Sequence, residues 1–263
     1  MNHTTPPSST PLLALENVSI QFGGLRALTD LNFTLDAGEL VGLIGPNGAG
    51  KTTAFNVVTG VYRPTGGTIR LAGQDIVGRK PFRINRLGIA RTFQNIRLFG
   101  GLSVLDNVLV GFNRSLTHGF LGTVLRTPHH QREDEHHEAR AMELLDTLRL
   151  ADKAHLQADG LPYGDQRRLE IARALATDPK VLVLDEPAAG MNPQEKVELM
   201  HLIGFIRDRF KVGIWLIEHD MKLVMTICER ITVLDHGETI SMGTPEQVQN
   251  DPKVIEAYLG EPV

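Results

Sequence analysis

Residues 45 to 52 of this 263-residue chain read Gly45, Pro46, Asn47, Gly48, Ala49, Gly50, Lys51, Thr52, and the short apolar run Leu40 to Ile44 stands directly before them. An apolar strand that breaks into a glycine-rich loop and then opens a helix is the context of a phosphate-binding loop. The glycines let the backbone curl until its N–H groups point inward at phosphate oxygens, and the start of the helix adds its positive end. Lys51 then reaches the β and γ phosphates of a nucleotide, the Thr52 hydroxyl is placed to ligate Mg2+, and Thr53 follows on the same first turn. The plain alternative is a glycine-rich turn with an exposed lysine, which does not account for a full octapeptide match between a strand and a helix.

A second element points to the same chemistry. Val181 to Leu184 are four apolar residues that run into Asp185 and Glu186, so a buried strand delivers two carboxylates to the carboxyl edge of a sheet, where ligands of α/β folds sit. Asp185 suits the Mg2+ shell and Glu186 suits a base that polarises attacking water. Other function classes fall away on composition. With 27 Lys+Arg against 31 Asp+Glu, the net charge is −4, which gives no long-range attraction to nucleic acid. The longest apolar run, Val212 to Ile217, is far short of the roughly 18 residues that cross a bilayer. The Thr-, Ser- and Pro-rich start, 1–11, reads as a disordered tail without the features of an export signal. The one cysteine, Cys228, falls with Val224 and Ile227 at helical spacing and reads as core.

The order of patterns predicts an α/β fold. Leu13, Leu15, Leu31, Phe33 and Leu35 alternate with polar residues around the turns Gly23-Gly24 and Asp36-Ala37-Gly38, as in an antiparallel sheet. From Leu40 onward apolar strands alternate with helical segments: Leu40 to Ile44, Thr52 to Thr59, Val181 to Leu184, Pro193 to Phe210, Val212 to Ile217. That alternation builds a parallel sheet wrapped by helices. Between Gly101 and Gly160 only helical periodicity is present, at Ser103 to Phe112 and Glu133 to Leu150, which predicts an inserted helical subdomain over about 95–165 within a domain spanning 12–263. Short strands at Ile231 to Leu234 and Thr239 to Met242 and helical segments from Thr244 and Pro252 close the chain. The four histidines His129, His130, His136 and His137 lie among charged residues without cysteine and read as a solvated helix entry.

The stretch Leu161-Pro-Tyr-Gly-Asp-Gln-Arg-Arg168 upstream of Asp185 resembles the signature motif of ATP-binding cassette ATPases. Gln94, within Arg91-Thr-Phe-Gln-Asn95, resembles the Q-loop glutamine, and His219, after Val212 to Ile217, resembles the switch histidine. Phe22 stands where that family has the aromatic that stacks on adenine. Singly, Phe22 also reads as a strand aromatic, Gln94 as a solvated strand end and His219 as a loop histidine; their joint order favours function. The resemblance implies a P-loop NTPase (RecA-like) core with an antiparallel β subdomain and an inserted helical subdomain. It also implies catalytic roles for Glu186, His219 and Gln94, with Gln94 also reaching Mg2+ beside Thr52 and Asp185. Tyr163, Gly164 and Asp165 are implied to face the γ phosphate of ATP held by a partner cassette. Pro162 replaces the family's usual Ser, which leaves that phosphate to backbone N–H groups near Gly164, and Asn192 replaces its common Asp.

Tyr163 to Arg173, Glu186 to Pro193, Leu116 to Pro128 and the ending Val254 to Gly260 resemble the ATPase subunits of bacterial branched-chain amino acid importers. The resemblance implies two membrane permeases, a second identical or paralogous ATPase, an extracytoplasmic binding protein acting indirectly, no nucleic-acid partner, and a place on the cytoplasmic face of the inner membrane. Ile96, Leu98, Phe99 and Leu102 are expected to divide between the core and a groove for a permease helix. Cassettes for urea, amides or lipopolysaccharide, and soluble cassettes that serve no transporter, remain alternatives at this level. Glu186 and His219 together disfavour a regulator that senses ATP without cleaving it.

Overall fold

The computed structural model describes residues 10–112 and 128–259. Most of the expected tail 1–11 and of the segment from Leu116 to Pro128 lies outside the described residues. The chain starts with a hairpin, β1 (Leu13–Phe22) and β2 (Leu25–Leu35), joined later by β4 (Gly66–Leu71) and β5 (Gln74–Asp75) in the order β2-β1-β4-β5. All its pairings are antiparallel. The second sheet has six strands in the order β10-β9-β3-β8-β7-β6: β3 (Leu40–Ile44), β6 (Ile89–Arg91), β7 (Val181–Asp185), β8 (Gly213–Ile217), β9 (Arg230–Asp235) and β10 (Glu238–Gly243). It is parallel except for the edge strand β10.

The apolar runs of the central strands follow from burial on both faces. Leu40, Ile44, Leu182, Leu184, Ile214 and Leu216 enter a core formed with the helices, whereas Val41, Leu43, Val181, Val183, Trp215 and Ile217 enter a second core beneath the antiparallel sheet. Strand alternation thus assigns neighbouring residues to different cores. Trp215, the only tryptophan, joins the two sheets: its ring stacks on Phe33 of β2 at 4.2 Å and meets Phe55 at 4.8 Å.

The α-helices among the described residues are α1 (Lys51–Val58), α2 (Pro81–Leu87), α3 (Val104–Phe112), α4 (Pro128–Thr147), α5 (Tyr163–Leu175), α6 (Pro193–Phe210), α7 (Met221–Ile227), α8 (Pro245–Gln249) and α9 (Pro252–Leu259). α6 matches its sequence reading to the residue because Asn192, Pro193 and Glu195 form a capping box with proline at the first position. Cys228, which caps the end of α7, is buried as expected.

Three readings need correction. The strand expected to end at Gln94 ends at Arg91, and Gln94 lies in the following loop. α4 starts at Pro128 rather than Glu133, and His137 is not solvated: the residue is 8% exposed and its ring stacks on Phe112 at 5.3 Å. Its charged neighbours Glu135 and Glu138 are exposed. Finally, the sequence reading placed nothing between residues 60 and 88, where β4, β5 and α2 form. Only Ile84 of α2 is buried, so no apolar period announces that helix, although Pro81 at its start and Gly88 after its end mark both boundaries.

Candidate functional site

Four adjacent parallel strands end on one edge of the six-stranded sheet, and each hands over to a residue singled out above. β3 runs into the glycine loop, β7 into Asp185 and Glu186, β8 into Glu218 and His219, and β6 into the loop carrying Gln94. The register pairs Leu43 and Asp185 with the same residue of β8, Ile217, so the glycine loop and the carboxylates flank one strand.

Within the loop, Gly45, Gly48 and Gly50 have φ of 152°, 80° and 102°, which side chains other than hydrogen resist. A Cβ on Gly45 would run into the Leu234 carbonyl, and one on Gly50 would stand 2.7 Å from the Ala27 carbonyl oxygen. Pro46 and Ala49 are buried, while Asn47, Gly48 and Thr52 are exposed and Thr53 half-buried. Ala49 N–H donates within the loop to the Pro46 carbonyl, whereas the N–H groups of Asn47, Gly48 and Gly50 meet no acceptor among the described residues. The Lys51 ammonium donates to the carbonyls of Gly45 and Pro46 at 2.6 and 2.8 Å, which fixes a positive charge inside the loop. Unpartnered N–H groups beside a buried ammonium are an anion cradle.

Glu186 is the meeting point of the other groups. It has φ of 45° with its N–H held by the Ile217 carbonyl, a left-handed conformation that is uncommon for a residue with a side chain and is often found at functional sites. Its carboxylate accepts a 2.8 Å hydrogen bond from the Gln94 amide and lies 3.5 Å from His219 Nδ1. Asp185 is engaged within the chain: Arg91 donates to its carboxylate at 2.6 Å, and both side chains are buried. Arg91 also bonds Asn56 on α1. Phe22, 44% exposed at the end of β1, meets Tyr62 edge to face at 5.1 Å, a pair of open rings.

The signature residues stand at the start of α5, with the Tyr163 hydroxyl sharing an Arg167 nitrogen with the Gln94 carbonyl. α5 begins at Tyr163 after Pro162, which supplies no side-chain cap. The N–H groups of Tyr163 and Gly164 find no acceptor among the described residues, but Asp165 is turned inward, with its N–H on the Pro162 carbonyl and its carboxylate on Lys153 at 2.6 Å. A cavity of about 290 Å³ beside them is lined by Gly164, Asp165, Asn192 and Glu195, with no residue of the glycine loop. Asn192 spends its side-chain oxygen on the N–H groups of Gln194 and Glu195.

Sequence reasoning passed over Arg91, Glu218 and the Arg167–Glu170 pair. Glu218 is 1% exposed and accepts from the N–H groups of Ala188 and His219, bracing the loop after Glu186 against the one after β8. As the first charge after the β8 run, it repeats the pattern that singled out Asp185. Burial pushes its carboxyl above the ordinary value of 4.5, with the surrounding N–H groups and His219 opposing. The folded protein therefore holds this proton more tightly than the unfolded chain. The resulting stability is complete below the unfolded value near 4.5 and is lost as pH rises through the folded one. Glu218→Gln keeps an acceptor oxygen and removes the charge. Urea titrations from pH 5 to 8 should show its stability gaining on wild type as pH rises; parallel curves would rule this effect out.

Comparison with known proteins gives a consistent picture. A family model described as ABC transporter matches residues 28–189, and one described as branched-chain amino acid ATP-binding cassette transporter matches residues 238–263. The chain is 49% identical over 253 residues to the high-affinity branched-chain amino acid transport ATP-binding protein LivG of Escherichia coli (strain K12), covering 96% of this chain and 99% of that one. It is 46% identical over the same shares to the corresponding protein BraF of Pseudomonas aeruginosa. Among solved structures, the ADP conformation of MJ1267, an ATP-binding cassette of an ABC transporter, superposes with a TM-score of 0.84 at 30% identity over 96% of this chain and 100% of that one.

Proposed function

This chain belongs to the ABC transporter family of ATP-binding cassettes, and from that premise we propose that it is the ATP-hydrolysing subunit of a membrane importer for branched-chain amino acids. The observation that carries the substrate class is the branched-chain family match at 238–263, joined to 49% identity with a branched-chain transport protein across nearly the whole chain. The glycine loop and Lys51 bind the phosphates, and the Phe22–Tyr62 pair offers an apolar face to adenine. Glu186 is the general base: its carboxylate takes a proton from water aimed at the γ phosphate, while Gln94 and His219 orient it. Mg2+ at such sites shares its oxygen ligands between protein side chains, water and the nucleotide's phosphates. Thr52, Asp185 and Gln94 would hold it, and it would supply charge neutralisation to the phosphates.

The nucleotide sits between two cassettes in this reading. The cavity beside the signature segment has no residue of this chain's own phosphate loop in its lining, so Tyr163 and Gly164 offer their N–H groups to ATP on a second cassette, identical or paralogous. No helix among the described residues is long and apolar enough to cross a membrane. Attachment to the cytoplasmic face then falls to the permeases, with an extracytoplasmic binding protein delivering the substrate. The helical subdomain, about 95–165, turns as a unit when the loop at Gln94 responds to nucleotide.

A groove beside that loop suits a short permease helix. It is lined by Phe82, Arg86, Phe93, Arg97, Phe99 and Arg173, among others. Leu98 packs on the core and Ile96 is half-buried, while Phe99 and Leu102 are exposed, and Arg97 lies over the Phe93 ring at 4.1 Å. Arginines and open rings favour a helix that brings its carboxyl end or an acidic side chain. Solubilised membranes should yield this chain together with two permeases. Phe99→Ala or Arg97→Glu should cut that recovery while ATP affinity is unchanged. Recovery equal to wild type from both variants, or co-purification with a permease for another substrate class, would contradict the reading.

A further inference from the structure

The least exposed ion pair among the described residues is not in the nucleotide site. Arg167 and Glu170 face each other at 2.9 Å on α5, with side chains 0% and 2% exposed. A buried pair is weak support for a fold on its own, because desolvation offsets the attraction. Here both terminal nitrogens of Arg167 and one carboxylate oxygen of Glu170 also bond the loop after β6, while Arg167 Nε is buried with no partner among the described residues. Arg167 donates to the carbonyls of Phe93 and Gln94 at 2.6 and 2.8 Å, and Glu170 accepts the N–H groups of Phe93 and Arg97 at 3.4 and 3.3 Å. The loop lies beyond the last ladder residue, Arg91, so this pair supplies bonds that the sheet does not.

Two further contacts give the clamp a direction. The Gln94 side chain it positions ends on Glu186 at 2.8 Å, and the nitrogen of Arg167 that holds the Gln94 carbonyl also donates to the Tyr163 hydroxyl at 3.2 Å. Tyr163 is 43% exposed at the first turn of the same helix. We propose that Arg167 and Glu170 are positioning residues that set Gln94 against Glu186 and, through Tyr163, link the ATP capped by this chain's signature segment to the ATP this chain cleaves. The inference rests on the two-cassette reading above. The route does not pass through Asn192, whose side chain is engaged in the cap of α6.

The test uses the intact complex of both cassettes with their permeases, with phosphate release measured against ATP concentration. Arg167→Lys keeps a charge beside Glu170 but lacks the planar fork that reaches two carbonyls. Misplacing a reacting group by a small distance is worth about 10²-fold in rate, so turnover at saturating ATP should fall on that scale with the KM for ATP unchanged. A merely structural role would lower the melting temperature and leave turnover per folded complex intact. Tyr163→Phe removes one exposed hydroxyl, and should turn a sigmoidal wild-type ATP curve into a hyperbolic one; it decides the matter if Arg167→Lys does not accumulate. Wild-type turnover by Arg167→Lys, a hyperbolic wild-type curve, or a Tyr163→Phe curve as steep as wild type overturns the inference and leaves the ATPase assignment standing. A wild-type complex holding one cassette, or inert toward ATP, takes both readings down together.

Discussion

Glu186→Gln should bind ATP as wild type does and hydrolyse it about 10²- to 10⁴-fold more slowly, the range for loss of a general base. The geometry makes this a defect of chemistry rather than of folding. The amide oxygen of glutamine can still accept the Gln94 hydrogen bond that the carboxylate accepts at 2.8 Å, and the backbone bond from residue 186 to Ile217 is untouched. What disappears is the capacity to take a proton beside His219, together with the negative charge that His219 faces at 3.5 Å. Calorimetry with ATP and phosphate release in the permease complex separate the two properties. Hydrolysis near the wild-type rate would remove Glu186 from the mechanism.

Lys51→Ala is expected to act one step earlier, on binding. Lys51 is 8% exposed and its ammonium is held by the Gly45 and Pro46 carbonyls, so its charge is already confined within the loop before phosphate arrives. Hydrogen bonds to charged groups contribute about 1.5 to 3 kcal/mol each, so one or two lost contacts to phosphate weaken ATP affinity by about 10- to 10³-fold or more. Lys51→Arg should not restore it, because a planar fork does not fit the space of a compact ammonium. A titration giving unchanged affinity for Lys51→Ala would count against the phosphate-loop assignment.

The sequence was most legible where local signals alone fix an element. β3 and the glycine loop were readable because the loop has to start where an apolar strand stops, and α6 because its cap, its proline and its apolar period agree. The region of β4, β5 and α2 was not readable, since these elements are half exposed and their order depends on pairing with β1, far away in the chain. Among the site residues, Glu186, Gln94 and His219 were named separately, and only the folded chain brings the latter two onto the first. The Arg167–Glu170 pair carried no signal, because two charges three residues apart on a helix usually face water. Its importance comes from a loop more than 70 residues upstream in sequence, as the Arg167 bonds to residues 93 and 94 show. His137 failed for the related reason that one face of a charged helix can still be buried against Phe112.

The most direct measurement of the central claim is uptake of labelled leucine into proteoliposomes containing the complex purified with this chain, its nucleotide sites facing enclosed MgATP, with loaded binding protein outside. Leucine accumulation and phosphate release should rise together in the wild type, and both should fall by about 10²- to 10⁴-fold in the Glu186→Gln complex. Accumulation near the wild-type rate in that variant, or ATP hydrolysis by the wild type that never drives uptake of a branched-chain amino acid, would contradict the claim.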